Sequence, residues 1–261
     1  MVSEAEFGAL LIFIDIFSKA LFMIVVGVLI KRNKLSFQSL AALVGASVLI
    51  SDIYASAALH YVFTTNYTFS AGSAGDFCLF IFIVPLVYRK WGFKEAKDLV
   101  IAIILVKVFG GLITATLFSA KISLSYASGP VAEEILQEIF GSLLNPTSSR
   151  VILSSLLCVI VDSYLILYFY NLMVMKVPIE ESDSKIVKGL KEFAIFTIAA
   201  YVTLIFDSLI FVTGSFFDNP FFPGILKTHL VIKSYISAIF GVMFVLAIRI
   251  IPDDETDPLK E

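Results

Sequence analysis

Charge is scarce in this chain. Of 261 residues, 16% are Asp, Glu, Lys or Arg, whereas soluble domains carry about 25%. The net charge of −3 is not gathered into a basic patch or a long acidic tail, so nothing in it points to nucleic acid. Two His and two Cys are too few for a zinc site of the usual kind, and no cofactor is expected. Cys78 and Cys158 both fall in apolar runs, which predicts free buried thiols and no disulfide. Enzyme signatures are missing too: there is no GxSxG, HExxH or P-loop. The pair Glu133-Glu134, with His60 and His229, superficially suggests an intramembrane protease. That motif continues with Arg four residues after the second Glu, where this chain has Glu138. The chain is not expected to be an enzyme.

What fills the space is apolar. Hydrophobic residues make up 59% of the chain, in repeated runs of the ~20 residues that a hydrocarbon core demands. The expected fold is an all-α, polytopic helix bundle in the cell membrane. Seven spans are read over approximately 7–30, 36–63, 72–88, 98–119, 150–175, 193–217 and 228–250, in one transmembrane domain over 1–250 with a short tail at 251–261. The first run lacks a basic leader and a clear cleavage site, so it reads as a mature helix. The third run is short and follows Ser70-Ala71-Gly72-Ser73-Ala74-Gly75, small residues that permit close backbone approach or a broken helix lining a cavity. The stretch 131–144, with Glu133, Glu134 and Glu138 on one face, reads as an interfacial helix. Basic residues orient the bundle. Lys31, Arg32, Lys34, Arg89, Lys90, Lys94, Lys97, Lys176, Lys185, Lys188, Lys191, Arg249 and Lys260 fall on one side, against Lys121, Arg150 and Lys227 on the other. The bias predicts an outside N-terminus and a cytoplasmic C-terminus.

Against this background the intramembrane charges stand out, because a charge at bilayer depth costs at least ~2.5–3.5 kcal/mol and usually has a partner and a role. Asp15 and Lys19 are four apart in the first span and can pair on one helix face. Asp52, Asp162 and Asp207 are mid-depth carboxylates facing Lys107 and Lys233. Asp207 and Lys233 sit on consecutive antiparallel helices and anchor the site. With the helix starting near residue 228, Lys233 lies only ~7 Å from its outer end, close enough to snorkel. The phrases around Asp52, Asp162 and Asp207 are similar and hint at internal repeats. Ser208 and Phe211 follow Asp207, and Phe206, Phe211, Phe216, Phe217, Phe221 and Phe222 cluster around the last hairpin. Aromatic walls with few polar groups suit a flat heterocycle, although most of these rings read as lipid-facing or interfacial.

Several phrases occur in an order that resembles the VUT family of integral membrane proteins. They are SAGS at 70–73; Tyr88-Arg89 followed by Glu95-Ala96-Lys97; Arg150 leading to Asp162 and LYFYNLM; DSLIFVTGSF from Asp207; FFPGIL at 221–226; and Lys233 followed by SYISAIFGVMFVLAIRI. The resemblance covers about Tyr67 to Ile250. That family is related to queuosine-precursor transporters, and similar regions form the membrane part of sensor kinases and cyclic-dinucleotide enzymes. Sensor-linked relatives tend to have Pro where this chain has Ala71. The resemblance implies a transporter for a small planar solute such as a deazapurine queuosine or archaeosine precursor, with Asp207 and Lys233 lining the site. The alternative it implies is a membrane-embedded sensor that signals to a separate cytoplasmic partner. The expected partners are the lipid bilayer and a small-molecule solute, with room for a homo-oligomer.

Overall fold

A computed structural model describes residues 4–56, 60–64, 67–70, 79–127 and 146–252. Among these, seven helices form a bundle: α1 Glu4–Lys31, α2 Phe37–Ser56, α3 Leu79–Trp91, α4 Phe93–Ala127, α5 Pro146–Lys176, α6 Lys185–Phe216 and α7 Phe222–Ile250. The expectation of an all-α chain needs one correction. The helix read as running to residue 63 ends at Ser56, and β1 (His60–Thr64) pairs antiparallel with β2 (Tyr67–Ser70). The reason is local composition, since Tyr61, Val62, Phe63, Thr64, Tyr67, Thr68 and Phe69 are β-branched or aromatic and suit a pleated ladder better than a helix. The stretch read as an interfacial helix, and most of the small-residue run after Ser70, lie outside the described residues.

Among the described residues, three helices are long and apolar enough to cross a membrane: Leu153–Lys176 within α5, Lys185–Phe216 and Phe222–Ile250. Their outward faces carry what lipid would meet, including Leu153, Leu157, Tyr164, Tyr168, Leu209 and Val242, all exposed. Exposed apolar residues are also found on α4, at Leu105, Phe109 and Leu112.

Helix ends follow the local chemistry. Asn33 takes a left-handed φ of 55°, and Lys34 N–H donates to Leu29 C=O at 2.8 Å while Asn33 N–H donates to Ile30 C=O at 2.9 Å. These two bonds close α1 in a Schellman motif. The basic stretch 89–97, expected as a loop, is instead the end of α3 and the start of α4. They are separated only by Gly92, whose φ of 103° an L side chain rarely adopts. The hydrophilic stretch before residue 193 is also shorter than expected. Ser184 caps α6 by accepting from Val187 N–H at 3.3 Å, which starts the helix at Lys185. Pro223, in the first turn of α7, is preorganised for a helix start and begins that helix six residues ahead of the expected one.

The short α3 is the centre of the bundle. It has 13 residues, ~20 Å at 1.5 Å per residue, and touches each of the other six helices. Every residue from Leu79 to Val87 is buried, as expected of a helix that is apolar all round. Phe82 meets Phe240 at 5.4 Å and Phe196 at 6.3 Å. Phe196 stacks on Phe244 at 4.5 Å, and Tyr170 packs edge-on against Phe244 at 5.7 Å. The core rings are therefore a different set from the Phe cluster near the last hairpin, where Phe206, Phe217 and Phe221 are exposed.

The helices alternate in direction. At one end Lys31 Nζ donates to Lys90 C=O at 2.7 Å and sits 4.8 Å over Trp91. There Phe37 meets Trp91 at 6.3 Å and Tyr88 meets Phe93 at 6.0 Å, while Arg249 donates to Lys185 C=O at 3.3 Å. At the other end Arg150 pairs with Asp218 at 2.7 Å. The basic residues that set the orientation bias thus converge on one end.

Close approach between helices depends on glycines, and the tightest contacts are at two of them. A Cβ on Gly214 of α6 would run into Ser154 Oγ of α5, and one on Gly241 of α7 into Thr197 Oγ1 and the Phe193 ring of α6. Gly224 has nothing within 4 Å. Gly214→Val and Gly241→Val should each destabilise the protein by about 1–3 kcal/mol through overpacking, with Gly224→Ala within about 0.5 kcal/mol of the parent. Denaturant unfolding of purified protein in detergent checks this, and equal effects at all three positions would contradict the packing described.

Candidate functional site

Each of the last three helices turns a polar stripe inward. On α5 the stripe is Ser155, Cys158 and Asp162, continued by Ile166 and Tyr170, all buried. Steps of three and four residues keep them on one face. On α6 it is Thr203, Asp207 and Ser208 with Phe211, and on α7 it is His229, Lys233 and Ser237. Most of the other buried residues of these two helices are apolar, with Glu192, Ser215 and Thr228 as the polar exceptions.

The stripes meet around one ion pair, Lys233 Nζ with Asp207 Oδ2, both side chains 2% exposed. Lys233 is eleven residues into α7, ~16 Å along it. The earlier start of the helix therefore removes the option of snorkelling, and the ammonium points to Asp207. A second carboxylate stands beside the pair. Carboxylate oxygens of Asp162 and Asp207 and the Cys158 sulfur lie within 4.8 Å of one another, and Lys233 is in electrostatic range of Asp162 as well. Lys107 enters from α4, 1% exposed, donating to Ser155 Oγ at 2.9 Å. Cys158 feels both lysines and Asp162. Among the described residues, two carboxylates and two ammonium groups thus gather in one buried region. Paired charge is the arrangement in which burial is tolerable.

Hydroxyls around the cluster are turned onto their own helices. Ser208 Oγ donates to Leu204 C=O at 2.9 Å, Thr203 to Ala199 C=O at 2.9 Å and Ser237 to Ser234 C=O at 2.8 Å. This back-bonding satisfies the protons and leaves oxygen lone pairs as acceptors. Asp162 differs. It is fully buried, and neither of its oxygens accepts a hydrogen bond among the described residues. Phe211 closes one side, stacked on His229 at 5.8 Å and edge-on to Phe216 at 6.0 Å.

Of the residues singled out in the sequence, Asp207, Lys233, Asp162, Lys107, Ser208 and Phe211 belong to this region. Asp52 lies on α2, but its side chain falls outside the described residues, as does that of Asp15, the expected partner of Lys19. Cys158, Ser155 and His229 were not anticipated as members. Spacing carried the signal: Cys158 is four before Asp162, Ser155 seven before it, and His229 four before Lys233, each on the face of a suspect charge. In chemical terms the cluster can accept protons or donors on Asp162, donate from either lysine and stack a ring on Phe211. The two carboxylates and the thiol also have the proximity of metal ligands, but Lys233 already brings a cation to Asp207. No protein-family model, no curated protein and no solved structure matches this chain.

Breaking the pair one partner at a time should be far worse than removing both. Asp207→Leu or Lys233→Met alone leaves an uncompensated buried charge and should cost about 3–5 kcal/mol, while the double variant should regain most of that loss. A double-mutant cycle by denaturant unfolding measures the coupling, and simple additivity would show that the two groups do not depend on each other.

Proposed function

We propose that this chain is a membrane transporter for a small planar solute that is held at the buried cluster of Asp162, Asp207, Lys107 and Lys233. The observation that carries the reading is this set of four described charges, two of each sign, inside a bundle whose outer face is apolar. Ionisable groups at membrane depth line solute or ion paths more often than they serve packing alone. Asp162 supports it further, since a buried carboxylate without a hydrogen-bond partner among the described residues is well suited to a solute that brings N–H donors. Stacking on Phe211 and the acceptor lone pairs of Ser208 favour a flat, hydrogen-bonding heterocycle. A deazapurine of the queuosine-precursor type has that chemistry, and the VUT-like phrases agree with it. In this reading seven helices cross the cell membrane, with the basic end cytoplasmic.

Uptake is tested in a host that can neither make nor import the precursor. The chain is expressed, the deazapurine is supplied outside, and queuosine is measured in tRNA. Rescue is expected, and Asp162→Asn should lower it by at least about tenfold, the loss of roughly 1.4 kcal/mol of solute binding, with unchanged protein in the membrane. Failure of the parent chain to rescue would sink the deazapurine assignment, and a bound ligand without uptake would instead favour the sensor. Orientation is tested separately. With Cys78 and Cys158 replaced, a membrane-impermeant maleimide added to intact cells should label Lys227→Cys and spare Ser182→Cys. The reverse pattern would invert the topology.

A further inference from the structure

The basic end of the bundle holds a second polar feature, unrelated to the buried cluster. A groove of about 570 Å³ opens where α3, α6 and α7 end, and its polar lining is Arg89, Lys185, Lys188, Arg249 and Glu192. Four positive groups thus face one negative group. That one carboxylate is engaged, because Glu192 Oε1 accepts from Arg89 Nε at 2.8 Å. One acid of the preceding loop is engaged as well. Asp183 accepts from Lys191 Nζ at 2.7 Å, and that hydrogen bond holds its carboxyl below the usual carboxylate range. Among the described residues no carboxylate forms an ion pair with Lys185, Lys188 or Arg249, although Asp183 is in electrostatic range of Lys188.

The groove is built into the helix packing. The Arg249 guanidinium lies across Gly189 of α6, where an added Cβ would stand 2.7 Å from its Nη2. It reaches Lys185 C=O at 3.3 Å, while Lys188 Nζ donates to Glu181 C=O at 3.0 Å. Both cationic heads are therefore positioned by backbone carbonyls. The opposite wall is aliphatic, formed by Val245, Ile248 and Ile251. Clustered basic heads with a fork-shaped guanidinium match a phosphoryl group, and an apolar wall beside them matches the glycerol and upper acyl region of a lipid.

We propose that this groove binds a phosphoryl group, with Lys188 and Arg249 as its principal contacts and Lys185 and Arg89 at its rim. A phosphodiester of an anionic lipid and a free phosphate share this chemistry, and the experiment separates them. The full chain is placed in nanodiscs of phosphatidylcholine, with or without phosphatidylglycerol, and inorganic phosphate is titrated into the phosphatidylcholine discs. Thermal unfolding is the readout. Ligand that binds only the folded state raises Tm, and the expected rise in the parent is about 5 °C. Lys188→Gln with Arg249→Gln should remove at least about half of that rise. Gly189→Leu, which fills the groove without changing charge, should do the same. Lys94→Gln with Lys97→Gln removes equal charge at the same end from exposed positions outside the groove and should keep the rise. A response to phosphatidylglycerol alone assigns a lipid headgroup, and a response to inorganic phosphate assigns a free anion. If neither raises Tm, or if the Lys94 and Lys97 variant loses as much as the groove variants, the site is overturned.

Discussion

The ion pair between Asp207 and Lys233 is the constraint to which the rest of the bundle answers. In water such a pair contributes little, but inside an apolar bundle each partner is tolerable only while the other is in place. The pair joins two antiparallel helices linked by a short turn, so it also sets their register. A slip of α7 by one turn would move Lys233 by ~5.4 Å and strand both charges. Gly241 against Thr197 and Gly214 against Ser154 make the same register sterically necessary. Where no apolar driving force exists between helices, close contact at small residues does the holding.

A layer of rings separates this cluster from the basic end. Along α6 the order is Glu192, Phe196, Asp207; along α7 it is Lys233, Phe240, Phe244, Arg249. Phe82 of the central α3 fills the space between Phe196 and Phe240, and Tyr170 completes the layer against Phe244. In the proposed transporter, a solute moving between the cluster and the basic end would meet these rings. The gate of a transporter would thus be aromatic side chains, which move by rotamer changes, with α3 as the strut that holds them. On the basic side of the layer Tyr88 donates to Asn171 at 2.7 Å and Arg89 pairs with Glu192, so the groove rests on a polar shell of its own.

Legibility in the sequence varied with the kind of signal. Long apolar runs in α5, α6 and α7 were readable because hydrocarbon-length helices need only composition and length. Helix ends were less so. The stretches 89–97 and 185–192 are hydrophilic yet helical, since a helix emerging from an apolar layer keeps its backbone bonds while its side chains turn polar. The hairpin of β1 and β2 was hidden inside a run whose hydrophobicity suits either strand or helix. Within the site, Asp207 and Lys233 were visible as isolated charges, whereas Cys158, Ser155 and His229 carry no such flag and emerge only from i, i+4 spacing.

By itself the sequence determined the class of the molecule and its charged positions. Apolar runs of sufficient length must be helices to satisfy their backbone, and a buried charge must have a counter-charge. It also determined which end collects the basic residues, because helices that alternate in direction turn a one-dimensional bias into a three-dimensional one. Tertiary structure alone decided which charge meets which. Asp162 could have faced Lys107 or Lys233 by sequence, and the packing of α5 along α6 brings it to the Asp207 pair. Structure likewise decided that the shortest of the described helices, α3, is the centre, and that Arg249 lies across Gly189 to shape a groove. These choices rest on close contacts between residues far apart in the chain, which periodicity and composition do not encode.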